Sequence, residues 1–378
     1  MSNIVIAGYV RSAFTLANKG ALRKTRPDDM AGAVVRGLVD KTKVNPADIE
    51  DLIMGCAFPE AEQGFNIARI AVFLAGLPIS IGGATVNRFC GSSMQAIHQA
   101  AGAIKMGAGE VFICAGIESM SRIPMGGYNP MPNPTLINAG HKAYVGMGET
   151  AENLADQYKI SRAEQDAFAA ESQKRASAAQ ATGKFKAEII PVKGDGGMVD
   201  TDGCIRAETT AEILGGLKPA FKETGSVTAG TSSPLTDGAS AVLVCTEEYA
   251  KKNGLTPLAR ILSIATSGCA PEIMGIGPVG ATNKALARAG LKINQIDIIE
   301  LNEAFAAQSL AVIKDLGADV SKINIDGGAI AIGHPLGATG ARITGKAAAL
   351  LQREKKKYAL ATQCIGGGQG IATILEAM

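Results

Sequence analysis

The chain has 378 residues, more than one simple core needs and enough for two domains. Charged residues make up 19% and the formal net charge is +2, which leaves no electrostatic footprint for nucleic acid. No apolar stretch is long enough to span a bilayer. With no tryptophan and 4% aromatic residues, there is little to stack against bases or sugars.

Glycine is abundant, at 46 residues, and clusters in short loops, as the tight turns of an α/β enzyme require. The seven cysteines (Cys56, Cys90, Cys114, Cys204, Cys245, Cys269 and Cys364) form no C-x-x-C pair and are odd in number. That argues against a zinc site or a disulfide framework, and for free thiols in a reducing cytoplasm. The start, Met1-Ser2-Asn3-Ile4-Val5-Ile6-Ala7, reads as the entry to a first strand and has no secretory pattern of charge followed by an apolar run.

In chain order, residues 3–9 read as a buried strand. A helix follows from Pro27, with Met30, Ala33, Val34 and Leu38 on one face. Residues 51–58 read as the next strand, 66–75 as a helix, and 81–86 as a strand running into the small-residue turn Cys90-Gly91-Ser92. The helix after that turn extends to about Met106, and Val111 to Gly116 is a strand of the buried, parallel kind. After Glu118 the composition changes to Gly, Pro, Asn, Met and isolated charges, with a helix-rich piece from Glu149 to Thr182. We read about 118–236 as a loop domain inserted over the face of the core. The core resumes with a strand over 238–245, and a second half begins near Ala259.

That half repeats the first in outline. The block Ile49 to Phe58 matches Ile296 to Phe305, and each is followed roughly 30 residues later by a glycine-rich turn and a small-residue helix. The first turn holds Cys90 and the second His334. A duplication of this kind implies two α/β halves whose corresponding turns face one shared site. The expected domains are thus 1–258, carrying the insertion, and 259–378.

Four glycine-rich turns, each expected to follow an apolar strand, carry candidate chemistry: Cys90-Gly91-Ser92, Asn302-Glu303-Ala304-Phe305, Gly333-His334-Pro335 and Cys364-Ile365-Gly366. Ligand sites in α/β sheets sit at such strand ends. A thiol at the start of a helix should have a lowered pKa and be a good nucleophile, and Gly91 and Ser92 leave room for a substrate carbonyl. Taken singly, each residue has a plainer reading. Cys90 and Cys364 could be buried apolar thiols, His334 a turn histidine bonded to its own backbone, and Glu303 a solvated loop residue. His98 and His141 read as structural or surface residues.

As an ordered set, the blocks Val86 to Ala96, Asn302 to Gln308, Gly333 to Gly337 and Cys364 to Gly366 closely resemble the thiolase family over nearly the whole chain. The resemblance implies a thiolase fold, with duplicated α/β halves packed back to back as a five-layered αβαβα sandwich and an inserted loop domain. It implies acyl transfer through an S-acyl enzyme on Cys90, with His334 as proton acceptor and Cys364 as the second proton carrier. It also implies oxyanion donors from Asn302 and His334 and from the N–H groups of Cys90 and Gly366. CoA and acyl-CoA would be substrates, with no metal or redox cofactor. CoA contacts fall on Arg206, Ser233, Ala304 and Phe305, and Met147 falls in the acyl pocket. Many biosynthetic members have a histidine where this chain has Gly146, and the form Cys90-Gly91-Ser92-Ser93-Met94 resembles the degradative 3-ketoacyl-CoA branch. Biosynthetic acetoacetyl-CoA formation is the alternative. Cys364 argues against a ketoacyl synthase, whose site pairs its nucleophile with two histidines or a histidine and an asparagine. A homodimer or homotetramer is implied.

Overall fold

The computed structural model describes residues 3–378. The expected start of the first strand at Met1 and Ser2 lies outside the described residues. The elements that position the site are β1 (Ile4–Arg11), α1 (Pro27–Thr42), β2 (Asp51–Gly55), α2 (Ile67–Leu74), β3 (Gly82–Val86), α3 (Ser92–Lys105) and β4 (Val111–Ser119). The insertion carries α4 (Met147–Tyr158) and α5 (Arg162–Ala181). Beyond it come β5 (Thr236–Thr246), β6 (Ala259–Gly268), α6 (Gly277–Ala289), β7 (Ile298–Leu301), α7 (Ala306–Leu316), α8 (Ala329–Ile332), α9 (Leu336–Arg353), β8 (Tyr358–Ile365) and β9 (Gln369–Ala377).

The strands run β3-β2-β4-β5-β1 in one half and β7-β8-β9-β6 in the other. In the first half, β2 pairs parallel with both β3 and β4, and β5 joins antiparallel. In the second, β7 and β8 are parallel and β9 joins antiparallel. The strand equivalent to β3 is reduced to a single parallel bridge, Ile299 to Ile323. The halves are stitched edge to edge by two residue pairs of β1 and β6, Val5 with Arg260 and Ile6 with Ala259.

Side-chain alternation explains the layers. On β4, Val111, Ile113, Ala115 and Ile117 pack in a core with α1 and α2, whereas Phe112 and Cys114 pack with α3. Both faces are buried, which is why the strand reads as one apolar run. The second core gathers α3, α9 and residues of both sheets, among them Met94, Ile97, Val242, Ile343, Ala361 and Ile371. The third covers the outer face of the second sheet with α6 and α7. The order is therefore helices, sheet, helices α3 and α9, sheet, helices, the five layers expected.

The middle layer is thin because its contacts are made by small residues. A methyl added to Gly340 on α9 would lie 2.2 Å from the backbone nitrogen of Met94 on α3, and one on Gly116 would lie 2.3 Å from the carbonyl oxygen of Gly337. Ser93 Oγ accepts the Ala341 N–H at 2.8 Å across the same seam. The insertion is anchored by charge: Arg11 on β1 is fully buried, with Asp202 at 2.7 Å and Glu188 at 2.8 Å. Replacing Gly340 by alanine overpacks the seam against backbone. A loss of about 1–3 kcal/mol in unfolding free energy is expected, read by thermal or denaturant unfolding; an unchanged transition would mean that α3 and α9 separate without cost.

Candidate active site

Cys90 sits between the end of β3 and the start of α3, in the short helical turn Phe89–Gly91. The turn is tight enough to hold Phe89 at φ 43°, a conformation that is strained for a bulky residue. Ser92 pins it, accepting the Arg88 N–H at 2.9 Å and donating to the Phe89 carbonyl at 2.6 Å. From the other half, Gln363 donates its side-chain N–H to the Cys90 carbonyl. Gly91 owes its size to packing rather than to substrate access, since an added methyl would lie 2.6 Å from Ile365.

The expected lowering of the Cys90 pKa is not found. Burial pushes the thiol up to about 12; the N–H of Gly366 pulls it back and the charge of Glu118 adds to the rise. Desolvation of a thiolate outweighs the helix-terminus field here. Cys364, at the end of β8, is also pushed well above its ordinary value, by burial first and then by Cys90.

His334 follows the single turn α8 and not a strand, so the expectation of a strand before every turn fails at this position. The reason is that the strand equivalent to β3 shrinks to the bridge at Ile323. Gly333, at φ 110°, turns the chain into the site. The imidazole is 4% exposed, and burial, then the charge of Arg342, lowers its pKa to about 3. It is therefore neutral at physiological pH. Nδ1 lies 2.6 Å from Thr339 Oγ1, whose hydroxyl is 3.4 Å from the Pro335 carbonyl. With the Thr339 hydroxyl turned to the Pro335 carbonyl, a neutral ring carries its proton on Nδ1 and leaves the Nε2 lone pair facing Asn302, whose Nδ2 is 3.4 Å away. Asn302 is fully buried and its Oδ1 has no protein partner, a position suited to an ordered water.

Met147, Ala304, Phe305 and Cys364 fall in one apolar cluster. The Ser233 N–H donates to the Ala304 carbonyl at 3.0 Å, which brings Ser233 beside them. Arg206 stands apart and exposed, with its N–H donating to Gln173 at 2.8 Å. A cavity of about 520 Å³ opens beside Cys90. It is lined by Phe58, Phe89, Met147, Leu336 and Gly366, and by the Met125–Met131 and Ala143–Gly146 segments of the insertion, without a charged side chain.

Glu303 is not solvated. It is 2% exposed and accepts from Ser172 (2.6 Å), Asn324 (2.8 Å) and the Ile330 N–H (3.2 Å), which ties the Asn302 turn to α8. Thr236, which accepts the His334 N–H at 3.0 Å, and Thr339 were not singled out from sequence. Only their nearness to the Gly333-His334-Pro335 motif could have flagged Thr339, and nothing flags Thr236. His98 is buried at 2.9 Å from Thr373 and His141 is exposed in the insertion. Among the described residues no three His, Cys, Asp or Glu side chains gather as a metal site would.

The family profile "Thiolase, N-terminal domain" matches residues 4–248 and "Thiolase, C-terminal domain" matches residues 255–377. The chain is 50% identical to the 3-ketoacyl-CoA thiolase of Vibrio vulnificus strain YJ016, covering 100% of both chains. It is 48% identical to that of Pseudoalteromonas translucida strain TAC 125, over 100% of this chain and 99% of the relative. Two solved structures superpose with a TM-score of 0.91 at 39% identity. They are the Bacillus anthracis acetyl-CoA acetyltransferase, covering 100% of this chain and 99% of the other, and human mitochondrial 3-ketoacyl-CoA thiolase in complex with CoA, covering 100% and 98%. With both halves matched in order and full-length relatives at half identity, the chain belongs to the thiolase family.

Proposed function

We propose that the protein cleaves 3-ketoacyl-CoA with CoA, giving acetyl-CoA and an acyl-CoA two carbons shorter, as in fatty-acid β-oxidation. The observation that carries this over the four-carbon alternative is the uncharged cavity of about 520 Å³ beside Cys90. Its size is that of a site for a sizeable ligand, and an acetoacetyl group would leave most of it empty. The relatives at about half identity bear the 3-ketoacyl-CoA thiolase name, in keeping with that choice.

In the proposed cycle the Cys90 sulfur attacks the C3 carbonyl carbon while His334 takes the thiol proton at Nε2. The C2–C3 bond breaks, its electron pair goes to C2, and the Cys364 thiol protonates that carbon to release acetyl-CoA. The acyl group stays on Cys90 as a thioester. The CoA thiol then attacks it, passing its proton to the Cys364 thiolate, and Cys90 leaves with the proton from His334. The N–H groups of Cys90 and Gly366 would hold the oxygen of the Cys90-bound acyl group. Asn302, through a water, and His334 would hold the thioester oxygen of the CoA-borne group.

For CoA itself, the exposed Arg206 suits a nucleotide phosphate. Ser233, Ala304 and Phe305, with Met147 beyond them, suit the pantetheine arm and the acyl entrance. CoA and acyl-CoA serve as substrates and no bound cofactor is required by this cycle. All seven cysteines are unpaired and no helix of the described residues is long and apolar enough to cross a membrane. Both fit the cytoplasmic setting we assign.

Three outcomes are expected. A 3-ketoacyl-CoA of about eight to twelve carbons should be cleaved faster than acetoacetyl-CoA in a CoA-dependent assay, and Cys90→Ala should lose about 10⁴-fold or more of kcat; cleavage of acetoacetyl-CoA alone would move the protein to the biosynthetic reading. Because burial lowers the His334 pKa to about 3, the imidazole is expected to stay deprotonated as pH falls from 8 to 5. In that range kcat/KM for the ketoacyl substrate should show no acid limb centred near the ordinary histidine value of about 6.5. A limb at that position would mean that His334 is open to solvent. Finally, sedimentation should give a dimer or tetramer, and a monomer would overturn the assembly assigned here.

A further inference from the structure

Glu118 lies one residue from the end of β4 and is 1% exposed. No step of the cycle above uses it, yet every hydrogen bond at its carboxylate is occupied. Oε2 accepts the N–H of Ala57 at 2.8 Å and of Gly337 at 2.9 Å. Oε1 accepts Gln63 Nε2 at 2.8 Å and the Phe58 N–H at 3.3 Å, with the Cys56 thiol at 3.8 Å. The three N–H groups and the Gln63 amide can only donate to it, and the one acceptor beside them, the weakly accepting Cys56 sulfur, already takes Gln63 Nε2 at 3.2 Å. The ionised form is the one that fits, although burial raises its pKa from the ordinary carboxyl value.

The five partners belong to different sides of the site. Ala57 and Phe58 follow β2, and Phe58 lines the cavity. Ala57 passes the contact on, since its carbonyl accepts Asn87 Nδ2 at 3.0 Å while Asn87 Oδ1 accepts the Phe89 N–H at 2.8 Å. Phe89 is the strained residue directly before Cys90. Gly337 lies in the first turn of α9, three residues beyond His334. A methyl on Gly337 would meet Glu118 Oε2 at 2.9 Å and Cys56 at 2.8 Å, so the close approach is built into the backbone. Gln63 is itself fixed, its Oε1 accepting the Ser119 N–H at 2.7 Å.

We propose that Glu118 is a positioning residue of the acyl transfer: its carboxylate clamps the Cys90 turn of one half to the His334 turn of the other and sets a fixed negative charge beside their shared site. The proposal rests on the thiolase reading for its kinetic consequence. The titratable groups around this charge are the Cys56 and Cys90 thiols, with Cys364 close enough to Cys90 to feel its charge, and among the described residues no lysine or arginine forms an ion pair with it. The charge raises the cost of a Cys90 thiolate. That favours a sulfur which gives up its proton only as His334 receives it.

The test uses Glu118→Gln and Glu118→Asp in the full chain, with folding checked by circular dichroism. Glutamine keeps the size but removes the charge and turns one acceptor into a donor facing N–H groups. Aspartate keeps the charge but falls one methylene short of bridging Ala57 and Gly337. Both should lower kcat for ketoacyl-CoA cleavage by about 10- to 100-fold, the cost of a small misplacement of reacting groups, with KM changed by less than about threefold. The rate of Cys90 alkylation by iodoacetamide at a fixed pH of about 8, followed by mass spectrometry, separates the two roles. Far below the thiol pKa this rate follows the thiolate fraction, so it should rise in Glu118→Gln and much less in Glu118→Asp. A wild-type kcat in either folded variant overturns the clamp, and a rate unchanged in Glu118→Gln, or raised equally in both, overturns the charge. Should Glu118→Gln fail to fold, kcat of Glu118→Asp still decides the clamp. Alkylation needs no acyl-CoA, so it stays readable even if the wild type proves to have no thiolase activity, an outcome that would overturn only the functional reading.

Discussion

Close contact between α3 and α9 is the constraint on which the rest of the molecule depends. Each helix begins at a turn of the candidate site, the Cys90 turn before α3 and the His334 turn before α9. The two turns can meet only if the helices approach nearly backbone to backbone. Glycine at 340 and 116, and Ser93 bonded to Ala341, permit that approach. The sheets then flank the helix pair, and the outer helices α1, α2, α6 and α7 cover what remains apolar. A larger residue in the seam would act on two sheets and one active site together, because interiors at this density have no slack to absorb it.

Burial governs the electrostatics of the site more than any single charge does. Both thiols are raised and the imidazole is lowered, each mainly by desolvation. A site of this kind holds its groups neutral at rest. In the proposed cycle Cys90 and His334 become charged only by exchanging a proton with one another, and the charge that then develops meets N–H donors already in place. This differs from a cysteine enzyme that stores a thiolate at a helix end: half-buried Cys90 packs against Leu336 and the apolar wall of the cavity.

The insertion links the two halves as well as covering them. Arg11 on β1 bonds to Asp202 and Glu188, Ser172 and Arg175 on α5 reach Glu303 and the Ile323 carbonyl, and Asn153 on α4 reaches the Glu272 carbonyl. Its apolar residues, Met147 and the Met125–Met131 segment, face the cavity. The same segment therefore holds the Glu303 turn and walls the cavity beside Cys90.

Much of this was legible in the chain. Apolar runs marked the strands because strands buried on both faces need apolar residues at every position, and α1 and α3 showed helical spacing for the complementary reason. Repetition of strand, glycine turn and small-residue helix pointed to the thiolase fold, and the ordered motifs around Cys90, Asn302, His334 and Cys364 pointed to the thiolase family. These properties follow from local periodicity and from residue type. What only the tertiary structure decided were quantities set by neighbours distant in sequence. Among them are the raised pKa of Cys90, the burial of Glu303, the missing strand before His334, and the meeting of Glu118 with Gly337 across 219 residues of chain. Desolvation and hydrogen-bond partnership depend on what the fold brings close, and no local pattern encodes that.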